Sequence, residues 1–171
     1  MTVIRPLTLD DVPALTTLIR ENRDFLAPWE PERPESFFTE EGQHEAVAGV
    51  LAQDDCRPFV ILDEQGEVAG RIIINGIVRG AFQSCYVGYW LAEKAGGRGL
   101  ATRALREVIE VAFDELGLHR IQADTVLDNV RSQRMLERNG FVRYALAPTY
   151  LKIAGRWQDC YLHQLINPRS A

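Results

Sequence analysis

The stretch Lys94-Ala95-Gly96-Gly97-Arg98-Gly99-Leu100-Ala101 decides how the chain is read. Before it stands an apolar, strand-like run, Cys85-Tyr86-Val87-Gly88-Tyr89-Trp90-Leu91, and after it Leu100 to Leu116 has helical periodicity. A glycine-rich turn between a strand and a helix leaves backbone N–H groups unpaired at the positive end of the helix dipole. Such a turn binds phosphate. Its glycines let the backbone approach the ligand and take φ values closed to other residues. The spacing excludes two common phosphate turns. A P-loop requires Gly-Lys-Ser/Thr at the helix start, and the dinucleotide fingerprint requires a further glycine inside the helix, where Thr102 and Arg103 stand. What remains is Lys94-x-x-Gly97-x-Gly99.

Around this turn the chain reads as one domain, 1–171, long enough to bury a sizeable core. Hydrophobic residues make up 46% and charged residues 25%, the balance of a water-soluble globular protein. No apolar run approaches the roughly 18 residues needed to cross a bilayer, and Asp10 and Asp11 interrupt any signal-like start. A cytoplasmic protein with no membrane partner is expected. Cys56, Cys85 and Cys160 are scattered without metal or disulfide spacing, as are His44, His119 and His163, so reduced buried thiols and no metal are expected. The net charge of −5 argues against direct nucleic-acid binding and suits a cationic partner such as an amine or a basic peptide tail.

Periodicity and turn residues predict a strand over Val3 to Leu7 and a helix presenting Val12, Leu15, Leu18 and Ile19. The proline-rich Arg23 to Pro34 reads as irregular. A helix over Thr39 to Ala52 precedes strands at Pro58 to Leu62, Val68 to Ile77 and Ser84 to Leu91. Gly117 would cap the helix that leaves the phosphate turn. Strand Arg120 to Val126, helix Asn129 to Arg138 and strands Phe141 to Ile153 and Arg156 to Leu165 complete the chain. Helices inserted between the strands of one mixed sheet predict an α+β, three-layer α/β/α architecture.

A second motif lies one strand beyond the first: Asn129-x-x-Ser132, then Leu136-Glu137-x-x-Gly140-Phe141. Together the two motifs resemble the coenzyme-binding segments of the GNAT superfamily of N-acetyltransferases, with Lys94 in place of the usual Gln or Arg. Within it the chain is most similar to the RimJ/RimL-type ribosomal-protein-alanine N-acetyltransferases, RimJ above all. Glu21 to Pro31, Val78-Arg79-Gly80, Cys85 to Tyr89 and Tyr150 to Asp159 carry that likeness. It implies a mostly antiparallel sheet with splayed middle strands, acetyl-CoA as cosubstrate, and an amine acceptor entering from the other side. That acceptor would be a protein N-terminus starting with Ala or Ser, as in a ribosomal protein. The enzyme would be a monomer or homodimer. An acetyltransferase for a small amine or antibiotic is the alternative, and a non-catalytic acyl-CoA sensor a second.

The resemblance also implies roles for residues. Trp90, Leu91, Ala92, Gly97, Arg98, Gly99, Leu100, Ala101, Asn129 and Ser132 fall in the coenzyme-contacting segments. Asp124 stands where relatives often carry a general base, and Asp159 is its rival. Ser132 is the expected hydrogen-bond partner of the coenzyme sulfur, because the tyrosine acid many relatives use is replaced here by Leu136. Thr149 occupies the position where RimL-type relatives place a catalytic Glu. Trp29, Glu30 and Glu32 on the proline-rich segment are candidates for the acceptor side, where carboxylates attract a cationic amine. Each has an alternative structural reading: Ser132 and Asn129 as helix caps, Asp124 as an arginine's partner, and Trp29 as a core plug.

Overall fold

Strand pairing explains the architecture. In the computed structural model, which describes residues 1–170, seven strands form one sheet in the order β1-β2-β3-β4-β5-β7-β6. They are β1 (Ile4–Pro6), β2 (Arg57–Leu62), β3 (Val68–Val78), β4 (Ser84–Leu91), β5 (Arg120–Val126), β6 (Val142–Ile153) and β7 (Arg156–Ile166). Every neighbouring pair is antiparallel except β4 with β5.

That exception shapes the centre of the molecule. Parallel pairing links only Ser84 to Arg120, Cys85 to Ile121 and Tyr86 to Gln122. Beyond Tyr86, β4 continues on β3 as far as Leu91, and β5 continues on β7 as far as Val126. Each strand follows its outer neighbour, so the two separate. A wedge opens between Val87–Leu91 and Ala123–Val126.

Helices cover both faces: α1 (Val12–Glu21), α2 (Arg23–Leu26) and α3 (Glu40–Leu51) before the central strands, α4 (Leu100–Glu110) and α5 (Val130–Arg138) after them. Leu100, Ala104, Leu105 and Val108 recur at helical spacing and pack with Met135 and Leu136 on Ile72, Ile74, Val87 and Ile121. On the opposite face Val12, Leu15 and Val47 meet Val60. Burying each such aliphatic side chain contributes about 1.5–3 kcal/mol.

Two expectations need correction. Arg23 to Pro34 is not wholly irregular: it contains α2 and a 3₁₀ turn, Ala27–Trp29. Pro28 lies in the first positions of that turn, where a missing N–H costs nothing. The helix after the phosphate turn is not α-helical to Leu116. Val111–Glu115 forms a π turn, in which Leu116 N–H donates to the Val111 carbonyl at 3.0 Å, before Gly117 (φ 64°) ends it. Periodicity alone does not reveal the widening, because Ala112 and Phe113, both apolar and buried, continue the run of core residues from the helix.

Candidate active site

The glycine turn follows β4 through a short 3₁₀ turn, Glu93–Ala95. Gly97 (φ 80°) and Gly99 (φ 75°) both lie in the left-handed region, and Gly99 is the N-cap of α4. A Cβ built on either meets nothing within 4 Å, so this side of the turn faces open space. Among the described residues no acceptor engages the N–H groups of Gly97, Arg98, Gly99, Leu100, Ala101 and Thr102. The first intrahelical bond runs from Arg103 N–H to the Gly99 carbonyl at 3.0 Å. This run of free donors at a helix start suits a pyrophosphate.

Arg131, which the sequence reading had not singled out, joins the two motifs. A Cβ on Gly96 would collide with its guanidinium, so α5 lays this arginine across the glycine turn. The same helix start orients Asn129 and Ser132. Asn129 Oδ1 accepts from Ser132 N–H at 3.2 Å, making Asn129 the N-cap. Ser132 Oγ is hydrogen-bonded to the Tyr89 hydroxyl of β4. Burial pushes the Tyr89 phenol up to about 12 although Ser132 pulls it down. Along β4, Leu91 packs toward the α4 side and Trp90 toward the α1 side. Ala92 is buried, with its N–H given to the Ala69 carbonyl at 2.8 Å.

Asp124 sits on β5 where the wedge opens. Burial pushes its carboxyl up to about 6, and among the described residues it forms no ion pair. Its charge is felt by Tyr144, Tyr150 and Cys160. It is not the arginine-paired carboxylate of the alternative reading. Asp159 is differently placed. Its Oδ1 accepts from Thr149 N–H at 2.8 Å, and Thr149 has a left-handed φ of 45° inside the bulge of β6 between Ala147 and Leu151. Thr149 itself supplies no carboxylate.

On the α1 side a cavity of about 450 Å³ is lined by Glu30, Glu32, Arg33, Phe37, Trp90 and Ala154 among others. The Glu30 carbonyl accepts from Ala154 N–H at 2.9 Å, and its carboxylate lies 3.7 Å from Arg33. Burial still raises the Glu30 pKa, outweighing Arg33. The Glu32 carboxylate lies over Gly155 of the β6–β7 turn. Trp29 is 39% exposed and is no core plug. The segment is braced by Arg23 stacked on Phe38 and Arg33 stacked on Phe37. All three cysteine thiols are buried, and burial pushes Cys85 up to about 12, a poor setting for a nucleophile.

A family model described as an acetyltransferase (GNAT) domain matches residues 2–142. The chain belongs to the GNAT acetyltransferase family. This GNAT chain is 35% identical over 171 residues to the ribosomal protein uS5-alanine N-acetyltransferase of Escherichia coli (strain K12), covering 97% of this chain and 88% of that one. It is 34% identical over 169 residues to the probable N-acetyltransferase YjcK of Bacillus subtilis (strain 168), covering 96% and 93%. Among solved structures, Mycobacterium smegmatis RimJ in complex with CoA-disulfide superposes with a TM-score of 0.92 at 29% identity, over 98% of this chain and 82% of that one. The mixed seven-stranded sheet flanked by helices is thus the GNAT fold, and the protein is an N-acetyltransferase. No helix among the described residues is long and apolar enough to cross a membrane.

Proposed function

We propose that this acetyltransferase moves the acetyl group of acetyl-CoA directly onto the N-terminal α-amine of a protein, an Ala- or Ser-starting ribosomal protein foremost. The uS5-alanine relative and the CoA-bound RimJ neighbour support the acceptor class and the coenzyme. In this reading Gly97, Arg98, Gly99, Leu100 and Ala101 bind the pyrophosphate with Arg131 beside them. The β4 edge at Trp90, Leu91 and Ala92 lines the pantetheine arm together with Asn129. Ser132 donates to the departing sulfur, Asp124 receives the ammonium proton, and Trp29, Glu30 and Glu32 face the acceptor. Asp159 serves the β6 bulge rather than the proton.

The observation that carries this reading is the unpaired Asp124 carboxyl, held at about 6 in the wedge. An α-ammonium has a pKa of about 7.7–8.0, so passing its proton to such a carboxylate is uphill by about 2.5 kcal/mol. The same transfer from a lysine ammonium, near 10.4, is uphill by about 6 kcal/mol. The base matches an N-terminal amine. The buried thiols, with Cys85 pushed up to about 12, support transfer without an acyl-enzyme on cysteine.

The test is release of free thiol from acetyl-CoA with a basic Ala- or Ser-starting peptide against polyamines, and mass spectrometry to place the acetyl group. Acetylated peptide N-termini support the proposal. Preferred turnover of polyamines would replace it with the small-amine reading. Tight acetyl-CoA binding without turnover of any amine, in cell extract included, would make the chain a sensor.

A further inference from the structure

The Tyr89–Ser132 pair brings together residues from β4 and α5 that no single motif contains. The chain needs the serine for only one thing in the reaction proposed above, a hydrogen bond to the sulfur as charge develops there. A serine hydroxyl has one proton, and in this structure its oxygen already has one partner, the Tyr89 hydroxyl. Which of the two donates decides whether the serine proton is free for the sulfur.

We propose that Tyr89 is a positioning residue for thiolate departure: its hydroxyl donates to Ser132 Oγ and so turns the serine proton toward the leaving sulfur. The proposal rests on Ser132 as the sulfur-side donor. Three constraints fix the pair. Tyr89 stands in register between β3 and the wedge, paired with Ile72, and its ring packs against the core on the α4 side. Asn129 caps α5 through the Ser132 N–H and holds the serine at the helix start. Ser132 thus has its backbone fixed by one neighbour and its hydroxyl by another. A hydroxyl that accepts one hydrogen bond also becomes a stronger donor in the next.

The pair does not act as an acid. The phenol is pushed up to about 12, while a thiol has a pKa of about 8.5, so proton transfer from Tyr89 to the thiolate would run uphill. In the step, the C–N bond forms as the C–S bond breaks and the electron pair leaves on sulfur. The ammonium proton goes to Asp124 or to water before attack, and the second proton, which nitrogen sheds as the amide forms, goes to water or to the departed thiolate. Tyr89 and Ser132 keep their protons and solvate the thiolate.

The test is a double-mutant cycle of Tyr89→Phe and Ser132→Ala in the full chain, with kcat, acetyl-CoA affinity and melting temperature measured for each. Tyr89→Phe should lower kcat about fivefold, the worth of one neutral hydrogen bond, with acetyl-CoA affinity unchanged. In the Ser132→Ala background the same change should have no further effect on kcat. Unchanged kcat in Ser132→Ala would remove the serine reading itself. A cost in Ser132→Ala combined with an equal, additive cost in Tyr89→Phe, or with none, would overturn the Tyr89 proposal alone. Tyr89→3-fluorotyrosine, which keeps the ring's shape, settles the case should the phenylalanine variant not fold. Its more acidic hydroxyl is a better donor and a poorer acceptor, so kcat should hold or rise. A fall in kcat would mean that Tyr89 accepts from Ser132, and the proposal would be wrong.

Discussion

The two sides of the wedge are built from different materials. On the α4–α5 side the groups proposed to bind are backbone N–H donors, from Gly97 to Thr102, in a turn whose Gly97 and Gly99 have positive φ. On the other side they are carboxyls, Asp124 and Glu30, made unusual by burial. The first kind depends on the path of the chain and tolerates little change in residue type. The second depends on how much water the surrounding strands exclude. Gly99→Val tests the first kind. It places a β-branched residue at φ 75°, strained by about 1–2 kcal/mol or more, with its methyl groups in the open space proposed for the pyrophosphate. Acetyl-CoA binding should fall below detection by calorimetry while the circular dichroism stays native. A folded variant with unchanged affinity would show that the turn is not the phosphate site.

Asp124→Asn tests the second kind, first through rate. The wild-type kcat/KM should rise as pH passes about 6, where the carboxyl ionises, and continue rising as the acceptor amine loses its proton. The variant should lose the limb near 6 and be slower by about a hundredfold at pH 6 to 7. The deficit should shrink above the amine's own pKa, where free amine no longer needs a base. A constant deficit at every pH would turn Asp124 into an acceptor-ordering residue.

These two sides also differ in how far they could be read from sequence. The glycine turn of Lys94-x-x-Gly97-x-Gly99 and the cap of Asn129-x-x-Ser132 were legible because glycine and N-cap chemistry are local, while their proposed coenzyme role came from the family resemblance. The strand limits were legible for the same reason, since alternation and turn residues act over a few positions. The wedge was expected only through the family resemblance: it arises where β4 and β5 follow different outer neighbours after Tyr86 and Gln122. Arg131 over Gly96 and Tyr89 on Ser132 join distant segments, so nothing in the local pattern marked them. The helical turns within Arg23 to Pro34 are hidden in the sequence because proline breaks a helix interior yet suits a first turn, and composition does not tell the two positions apart.

Asp124→Asn carries a second, smaller effect of the opposite sign. Folding lifts this carboxyl from its ordinary value near 3.9 to about 6, so between those values the folded state holds the proton more tightly. Stability therefore falls as pH rises through that window, and the whole loss is present above about 6. Asparagine cannot ionise and removes the loss. With water's partial access to the carboxylate allowed for, the variant should be more stable by about 1 kcal/mol at pH 8. The gain should vanish below about pH 4. A slower enzyme that melts later is the signature of a carboxylate buried for function. A variant that melts earlier at pH 8 would show that Asp124 is held by partners after all.

An effect of similar size belongs to Asp159, and its sign separates the two carboxylates. Its Oδ1 receives the Thr149 N–H at 2.8 Å and holds a β-branched residue at φ 45° where β6 bulges away from β7. Asp159→Ala removes that acceptor and should lower stability by about 1 kcal/mol, a melting-temperature drop of about 2–4 °C in a chain of this size. The strain at Thr149 supplies the internal control. Glycine takes a left-handed φ without cost, so Thr149→Gly should recover part of the loss in the Asp159→Ala background. Neither change should move the limb of the pH–rate profile near 6. If Asp159→Ala erases that limb and Asp124→Asn leaves it in place, the proton leaves through β7 rather than β5, and the two carboxylates exchange roles.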